Sequence, residues 1–395
     1  MKLAVPHNWQ PDLVKMLGSV KPDEFYAKLE SDAIGGGRAS NICPQVSQGT
    51  IRCELRKVQA NGAKFNYLLN ASCLDNRELS VSMHKHLANL FKWLRKIRVD
   101  AVTVSIPYLA GYIKKNYPDL SICVSTMAQV DTPAKARFWE GLGADKITLS
   151  EGVVNRNFEL IKKIRQAVKC QLQLIANNGC LYDCPFVLHH GLAGSHASQR
   201  GHISSLLSID FYRLMCTYMR MKEPVNYIRA DWIRPEDVPL YEDLGIDFLK
   251  IVNRGMTSAA IAGIVRAYAA QKYAGNLLDL LPSPAKNINF KKHNLGYLLK
   301  YFFHPGQVNI FKLFKMKDAF SQGEGAVYVD NKKLDGFLLS LQDKNCSLES
   351  CGRCNWCRIA ADKAVKFDRP KMQESLKMLE GFINELRNGK VFRYL

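Results

Sequence analysis

Long apolar runs are missing from this chain of 395 residues. No segment approaches roughly 18 uninterrupted apolar residues, so no membrane span is expected. The first residues, Met1-Lys2-Leu3-Ala4-Val5-Pro6-His7, run straight into polar sequence. They carry neither the apolar core nor the cleavage site of a signal peptide, and a cytoplasmic protein is expected. Several chemical signatures are missing too. There is no HExxH pair for zinc hydrolysis, no nucleophile elbow and no papain-type cysteine signature. No GxGxxG follows the first strand-like run, which lowers the case for a dinucleotide fold. No aromatic signature of the RRM type is visible.

Acidic residues are in short supply. There are 36 Asp and Glu against 55 Lys and Arg, a net charge of +19. An excess of this size favours nucleic acid, anionic surfaces or phosphorylated substrates. Lys286 to Leu395 holds 20 Lys and Arg against 11 Asp and Glu, about half the excess in about a quarter of the length. Contact with RNA and a merely solvated basic surface are both compatible with that pattern.

Cysteine, by contrast, is plentiful, with twelve residues. In a reducing compartment these are not six disulfides. Cys43, Cys53, Cys73, Cys123 and Cys170 are scattered and read as small buried side chains. The other seven fall in two sets. Cys180 and Cys184 sit in Asn177-Asn178-Gly179-Cys180-Leu181-Tyr182-Asp183-Cys184-Pro185, directly after the apolar run Leu172 to Ala176, and Cys216 follows in a helical run. Two thiols at the mouth of a strand are well placed to grip a metal. Three cysteines would need a fourth ligand for a cluster. It could come from Cys43 or the C-terminal set, or be absent and leave an iron open to substrate. The second set is Cys346-x4-Cys351-x2-Cys354-x2-Cys357, with Gly352 allowing a tight turn. Its last three members match ferredoxin-type 4Fe-4S spacing, and a zinc knuckle can use the same pairs. One 4Fe-4S cluster, or two, is expected, with zinc the alternative at the C-terminal cysteines.

Strand-like runs alternate with amphipathic helical runs. The strands read Leu3–Val5, Phe65–Leu69, Ala101–Ile106, Ser121–Ser125, Lys146–Leu149, Leu172–Ala176, Tyr227–Ala230 and Phe248–Val252. The helices between them include 84–97, 109–116, 133–142, 155–168, 235–244 and 258–273. About eight βα units predict an α/β fold, a TIM-like (β/α)8 barrel over residues 1–281. Pro282-Ser283-Pro284 reads as a linker to a smaller, basic, metal-binding α+β segment over 286–395. Its last helix carries Met372, Leu376, Leu379, Ile383 and Leu386 on one face, expected to dock on the body.

In such a barrel the strand C-terminal ends carry function. Here they read Asn70, Ser105, Ser125-Thr126, Ser150-Glu151, Asn177-Asn178, Asp231 and Asn253-Arg254. Candidate catalytic residues are Glu151, His189, His190 and Arg254. His189 and His190, with His196 and His202 beyond them, could serve acid–base chemistry, act as a ligand beside the cluster, or be polar loop residues. Arg254, beside Lys250, could fork a carboxylate or phosphate, or pair with Glu151.

At these residues the chain resembles the peptidase U32 family, the collagenase-like group. Ser125-Thr126-Met127-Ala128-Gln129-Val130 is similar to the family's S-T-Q-x-N-V strand end, and Gly141 to Leu149 to its L-G-A-x-R-V-x-L unit. Gly179-Cys180 falls at its glycine-rich turn ending in cysteine. Gly245 to Arg254 is similar to G-V-D-x-x-K-I-E-G-R and is followed by a helix ending in an A-Y pair, Ala267-Tyr268. The resemblance spans roughly Leu3 to Leu281. It implies a TIM-like barrel and oxygen-independent hydroxylation with a 4Fe-4S cluster, on tRNA or rRNA bases with prephenate as oxygen source, or on quinone precursors. It makes Cys180 the first cluster cysteine and Cys184 the second. The family's R-E-L-S is Leu149-Ser150-Glu151-Gly152 here, its Glu-Gly is Val252-Asn253, and the cysteine spacing is shorter, which marks a divergent subgroup.

Three functions compete. The first is an iron–sulfur enzyme modifying a nucleobase or small aromatic molecule, with Arg254 and the His189/His190 pair holding an oxygen donor. The second is a peptidase, as the family name says. The third is a non-catalytic subunit that carries a cluster for a partner protein. The expected partners are RNA or an anionic small-molecule substrate, together with a protein partner or electron donor.

Overall fold

A computed structural model describes the chain except for residues 41–42, 203, 205–208, 284–285, 288–308, 310–311, 313–324, 343–345, 347–350, 352 and 392–395. Pro284 of the expected linker, residues 288–308 and 313–324 of the basic stretch, and Gly352 therefore lie outside the described residues.

Eight parallel strands close into a barrel in chain order. They are β1 (Lys2–Pro6), β2 (Glu24–Ala27), β3 (Lys64–Leu69), β4 (Ala101–Val104), β5 (Ser121–Val124), β6 (Lys146–Thr148), β7 (Gln171–Ile175) and β8 (Phe248–Lys250). β1 pairs back onto β8, with Leu3 opposite Leu249. The helices are α1 (Leu13–Met16), α2 (Gln48–Ala60), α3 (Val81–Lys96), α4 (Pro107–Asn116), α5 (Pro133–Gly141), α6 (Phe158–Ala167), α7 (Val187–His196), α8 (Phe211–Lys222), α9 (Val225–Arg229), α10 (Val238–Asp243) and α11 (Ser258–Ala269). This is the TIM-like (β/α)8 barrel that the alternation predicts. Among the described residues no helix is long and apolar enough to cross a membrane.

Two strand expectations need correction. Tyr227–Ala230 is not a strand but lies in and just after helix α9, which Pro224 opens at its N-cap. The eighth strand is β2. Its four residues, Glu-Phe-Tyr-Ala, are too short and begin too polar to stand out. Glu24 is there because it faces the barrel interior, which is polar. Lys146 Nζ meets Glu24 Oε2 at 2.7 Å, Asn66 Nδ2 donates to Glu24 at 3.2 Å, and Thr103 Oγ1 donates to Asn66 at 2.8 Å. Alternate residues point outward, where Val5, Phe25, Phe65, Val102, Val124, Leu172 and Leu249 form one core with the helices.

Local signals behave as their chemistry requires. Thr132 caps α5 by accepting from Lys135 N at 3.2 Å, with Pro133 at the first helical position. Gly143 (φ +91°) and Gly245 (φ +80°) follow the ends of α5 and α10 in the left-handed region that glycine enters without penalty.

Past the barrel, β9 (Val327–Val329) and β10 (Val365–Phe367) form an antiparallel pair. Helices α12 (Trp356–Ala364) and α13 (Arg369–Arg387) follow. Ala326 to Leu341 and Ala360 to Ala364 contribute apolar side chains to the barrel's own core. Arg234 bonds this segment to the barrel, donating to Asn331 O at 2.8 Å and Asp335 Oδ1 at 2.9 Å. The apolar face of α13 docks on α8, with Leu379, Phe382 and Ile383 against Leu214 and Met221.

Candidate functional site

The loop after β7 carries Cys180 and Cys184, and it is held from three sides. Asn177 donates to Val252 O at 2.5 Å and to Leu280 O at 2.9 Å, and accepts from Val252 N at 2.7 Å, which locks the ends of β7 and β8 together. Asp183 N donates to Gly152 O at 3.0 Å, tying the loop to the end of β6. Arg220, on α8, donates to Gly179 O at 2.6 Å. A Cβ on Gly179 would stand 3.2 Å from that guanidinium and 3.3 Å from Leu281, so the absent side chain is what lets Arg220 approach.

Arg220 also lies 3.9 Å from Cys216 Sγ, one turn earlier on α8. The fold thus brings Cys180, Cys184 and Cys216 together across the barrel mouth. Burial pushes the Cys180 thiol well above its usual range, and Glu151, Cys216, Asp231 and Cys184 add to the effect. Cys184 is raised in the same way, chiefly by burial. Burial alone would lower Arg220, but Cys216, Tyr227, Cys180 and Cys184 hold it above its usual range. Arg213, facing Asp210 and Cys216, is lowered by burial.

Two acids border the thiols. Glu151 accepts from Asn178 Nδ2 at 2.5 Å, and burial raises its carboxyl, against the pull of Arg38, His190 and Lys250. Asp231 is fully buried, and neither carboxylate oxygen has a hydrogen-bond partner among the described residues. Burial raises it well above its usual range, and Glu151 adds to this. Both favour the protonated form. Asp231 does not end a strand, contrary to expectation. It lies in the stretch after α9, and Ile233 N reaches Ala176 O at 2.7 Å beside the end of β7.

His190 meets Asp210 Oδ2 at 3.2 Å and lies beside Tyr212, on which the His189 ring stacks at 6.3 Å. Both histidines are exposed on α7. Arg254 is buried, and its Nη2 donates to Cys43 Sγ at 3.2 Å. Glu151 takes Asn178 as its hydrogen-bond partner rather than Arg254. The Arg254 Nε and Nη1 atoms are enclosed without a hydrogen-bond partner among the described residues. Lys28, Arg38 and Lys250 converge on the same region. Lys28 pairs with Asp32 at 2.9 Å, and Lys250 stands 4.1 Å over the Tyr26 ring. Lys250 is lowered to about 8, chiefly by burial; Cys123 and Glu24 oppose the fall, and Lys146 and Arg254 add to it. Lys28 and Arg38 carry no local sequence signal; only the closed barrel sets them beside Arg254.

The C-terminal cysteines return to the same face. Tyr182, between Cys180 and Cys184, lies beside Cys346 and Cys351, and burial together with these thiols raises its hydroxyl. Cys357 is raised by burial; Arg156 and Arg229 offset this, and Cys346 and Cys351 add to it. Arg156 is buried over the Trp232 ring at 4.4 Å, donating to the Ile228, Ala230 and Trp232 carbonyls. It faces both Asp231 and Cys346, and its charge opposes the rise that burial causes in each. Cys354 is exposed.

The model of peptidase family U32 matches residues 43–184. An uncharacterized protease of Methanocaldococcus jannaschii is 30% identical over 333 residues, 84% of this chain and 86% of that one. A tRNA hydroxylation protein P of Haemophilus influenzae is 22% identical over 169 residues, 40% of this chain and 34% of that protein. Among solved structures, a U32 peptidase superposes with a TM-score of 0.49 at 22% identity, over 64% of this chain and 93% of that one. On the breadth of the match to the archaeal relative and the family model beneath it, this chain belongs to the peptidase U32 family.

Proposed function

We propose that this chain is an iron–sulfur enzyme whose barrel mouth modifies a nucleobase or small aromatic molecule by oxygen-independent hydroxylation. The observation that carries the reading is Cys180, Cys184 and Cys216 gathered around Arg220, whose enclosed Nε has no hydrogen-bond partner among the described residues. An anionic thiolate-bound cluster would balance Arg220, whose buried guanidinium has no carboxylate partner among the hydrogen bonds and ion pairs of the described residues. The name of the Haemophilus relative, a tRNA hydroxylation protein, supports the reaction class.

When bound, a 4Fe-4S cluster at Cys180, Cys184 and Cys216 supplies electrons at the barrel mouth. The chain's own groups do the rest. Arg254, with Nε and Nη1 free, and Lys250 bind a carboxylate or phosphate of the substrate or oxygen donor. Glu151 accepts from Asn178 through Oε2, and its raised carboxyl can hold a proton at Oε1. His190, oriented by Asp210, stands at the rim. The C-terminal cysteines, joined to the site through Tyr182, serve as a second metal centre that is structural or relays electrons. The basic charge of residues 286–395 docks RNA where RNA is the substrate. The family's name keeps a peptidase as the competing reading, for which the neighbouring Glu151 and Asp231 carboxyls are the available acid–base pair.

Anaerobic purification, iron and sulfide analysis and an EPR spectrum test the proposal. Iron is expected in the wild type and in Cys123→Ala, and lost in Cys180→Ala. A protein that stays iron-free after anaerobic reconstitution refutes it.

A further inference from the structure

A separate set of ligand-type side chains lies at the other end of α7 from the thiol site. α7 begins three residues after Cys184 and runs ten residues, so its far end is about 15 Å away. That end carries His196. The loop leaving β3 brings Cys73 and Asp75 beside it. Among the described residues this is the trio of Cys, His and carboxylate groups whose ligand atoms all lie within 4.8 Å of one another.

The separations match the edges of a small tetrahedral site. His196 Nε2 lies 3.1 Å from Asp75 Oδ1, and Cys73 Sγ lies 3.7 Å from the same oxygen. Zn–N and Zn–O bonds of about 2.0 Å and a Zn–S bond of about 2.3 Å require edges of about 3.3 Å and 3.5 Å. His196 Nε2 is enclosed, and its approach to Asp75 lacks hydrogen-bond geometry, so it has no hydrogen-bond partner among the described residues. An enclosed ring nitrogen that faces a carboxylate and a thiol without a hydrogen-bond partner has the placement of a ligand atom.

The surroundings are built to hold the trio. Asp75 N donates to Cys73 Sγ at 3.3 Å, which fixes the sulfur beside the carboxylate. Gln199 Nε2 donates to Cys73 O at 2.5 Å, and Gln199 in turn accepts from Arg77. Ser72 N donates to Ser195 Oγ at 2.8 Å, fixing the loop to α7. His202 completes the set from outside. Its Nδ1 accepts from Ser204 N at 3.0 Å, which puts the ring proton on Nε2. That nitrogen stands 3.2 Å from Asp75 Oδ2, the oxygen the trio leaves over, and the two imidazoles stack at 4.4 Å. A second imidazole that orients a ligating carboxylate is a common outer partner of metal sites.

We infer that Cys73, Asp75 and His196 form a site for a divalent transition ion of the Zn2+ type, with His202 orienting the carboxylate. Thiolate, imidazole and carboxylate together select zinc over magnesium or calcium. Three protein ligands and a partly exposed Asp75 leave a fourth position for water, the pattern of reactive rather than purely structural zinc. The site is independent of the iron–sulfur reading, because none of the seven grouped cysteines takes part.

Co2+ is the probe. The metal-stripped full-length protein and its Cys73→Ser, His196→Ala, His202→Ala and Cys53→Ser variants are titrated anaerobically, each checked for folding by circular dichroism. The other cysteines are common to all, so differences isolate the site. The wild type and Cys53→Ser are expected to bind one more equivalent than Cys73→Ser or His196→Ala, with a thiolate-to-cobalt charge-transfer band stronger by one thiolate than that of Cys73→Ser. His202→Ala keeps the band with affinity roughly 10- to 100-fold weaker. Equal uptake and equal bands in wild type, Cys73→Ser and His196→Ala overturn the inference and leave Asp75 as an acceptor between two imidazoles. Should Cys73→Ser misfold, His196→Ala alone decides in the same way.

Discussion

Lys250 is a buried cation retained at a cost, and the cost can be measured. Its side chain lies inside the top of the barrel, 8% exposed and stacked over Tyr26. Burial brings it down from 10.5 to about 8. Each tenfold loss of proton affinity is worth about 1.4 kcal/mol, so the folded state loses about 3 kcal/mol relative to a freely titrating lysine. The unfolded lysine takes its proton near pH 10.5, and the folded one only near pH 8. Between these values the unfolded chain binds more protons, so stability falls as pH drops from about 10.5 to about 8 and levels off below. Replacing Lys250 by Met should therefore change little at pH 10.5. The stabilisation should grow through that window to at most about 3 kcal/mol at pH 7, reduced by the lost contact with Tyr26. Urea unfolding at half-unit steps of pH reads this directly. A difference between the two proteins that does not vary with pH refutes the argument. An anion seated between Lys250 and Arg254 should raise the folded value again, so saturating anion should flatten the wild-type curve and leave the variant's unchanged. Such a group is retained against stability where it binds something.

Three further perturbations follow from the same geometry. Glu24→Ala strands Lys146 in the barrel interior and should cost about 3–5 kcal/mol by denaturant unfolding, whereas an apolar replacement of both partners should cost far less. Gly179→Ala pushes on Arg220 and Leu281 and should lower iron content in reconstituted protein while leaving far-ultraviolet dichroism unchanged; full iron loading removes Arg220 from the account of the site. RNA affinity, measured by fluorescence anisotropy between 50 and 200 mM salt, should fall steeply with salt, and a flat response argues against a phosphate-contacting surface.

Much of the barrel is legible in the sequence because its strands alternate with well-capped helices, as at Thr132-Pro133 and Gly143. β2 escapes because a polar barrel interior removes the apolar signal from a four-residue strand. Tyr227–Ala230 misleads for the opposite reason: its aromatic and β-branched residues suit a strand, but Pro224 starts a helical turn there, and Arg156 ties up carbonyls at its end. At the mouth, Cys180 and Cys184 announce themselves by position, and Cys216 is one turn from Arg220. What sequence spacing cannot convey is convergence across long separations. Arg254 turns to Cys43 rather than Glu151, and Cys346 reaches Tyr182, because barrel closure brings segments hundreds of residues apart to one rim.

The docking of α13 on α8 has a consequence for how the protein is made. Cys216 leaves the ribosome well before Leu379 and Ile383, which cover the outer side of its helix. At 5–20 residues per second the interval is roughly 10–30 s. Throughout it the apolar flank of α8 stays uncovered, and Arg220 alone ties the helix to the Cys180 loop among the contacts described above. The thiol site is therefore completed only as synthesis nears its last helix. On the proposed iron–sulfur reading, cluster insertion should be a late event on a nearly finished chain, and truncations that remove α13 should accumulate as protein that takes up no iron on anaerobic reconstitution.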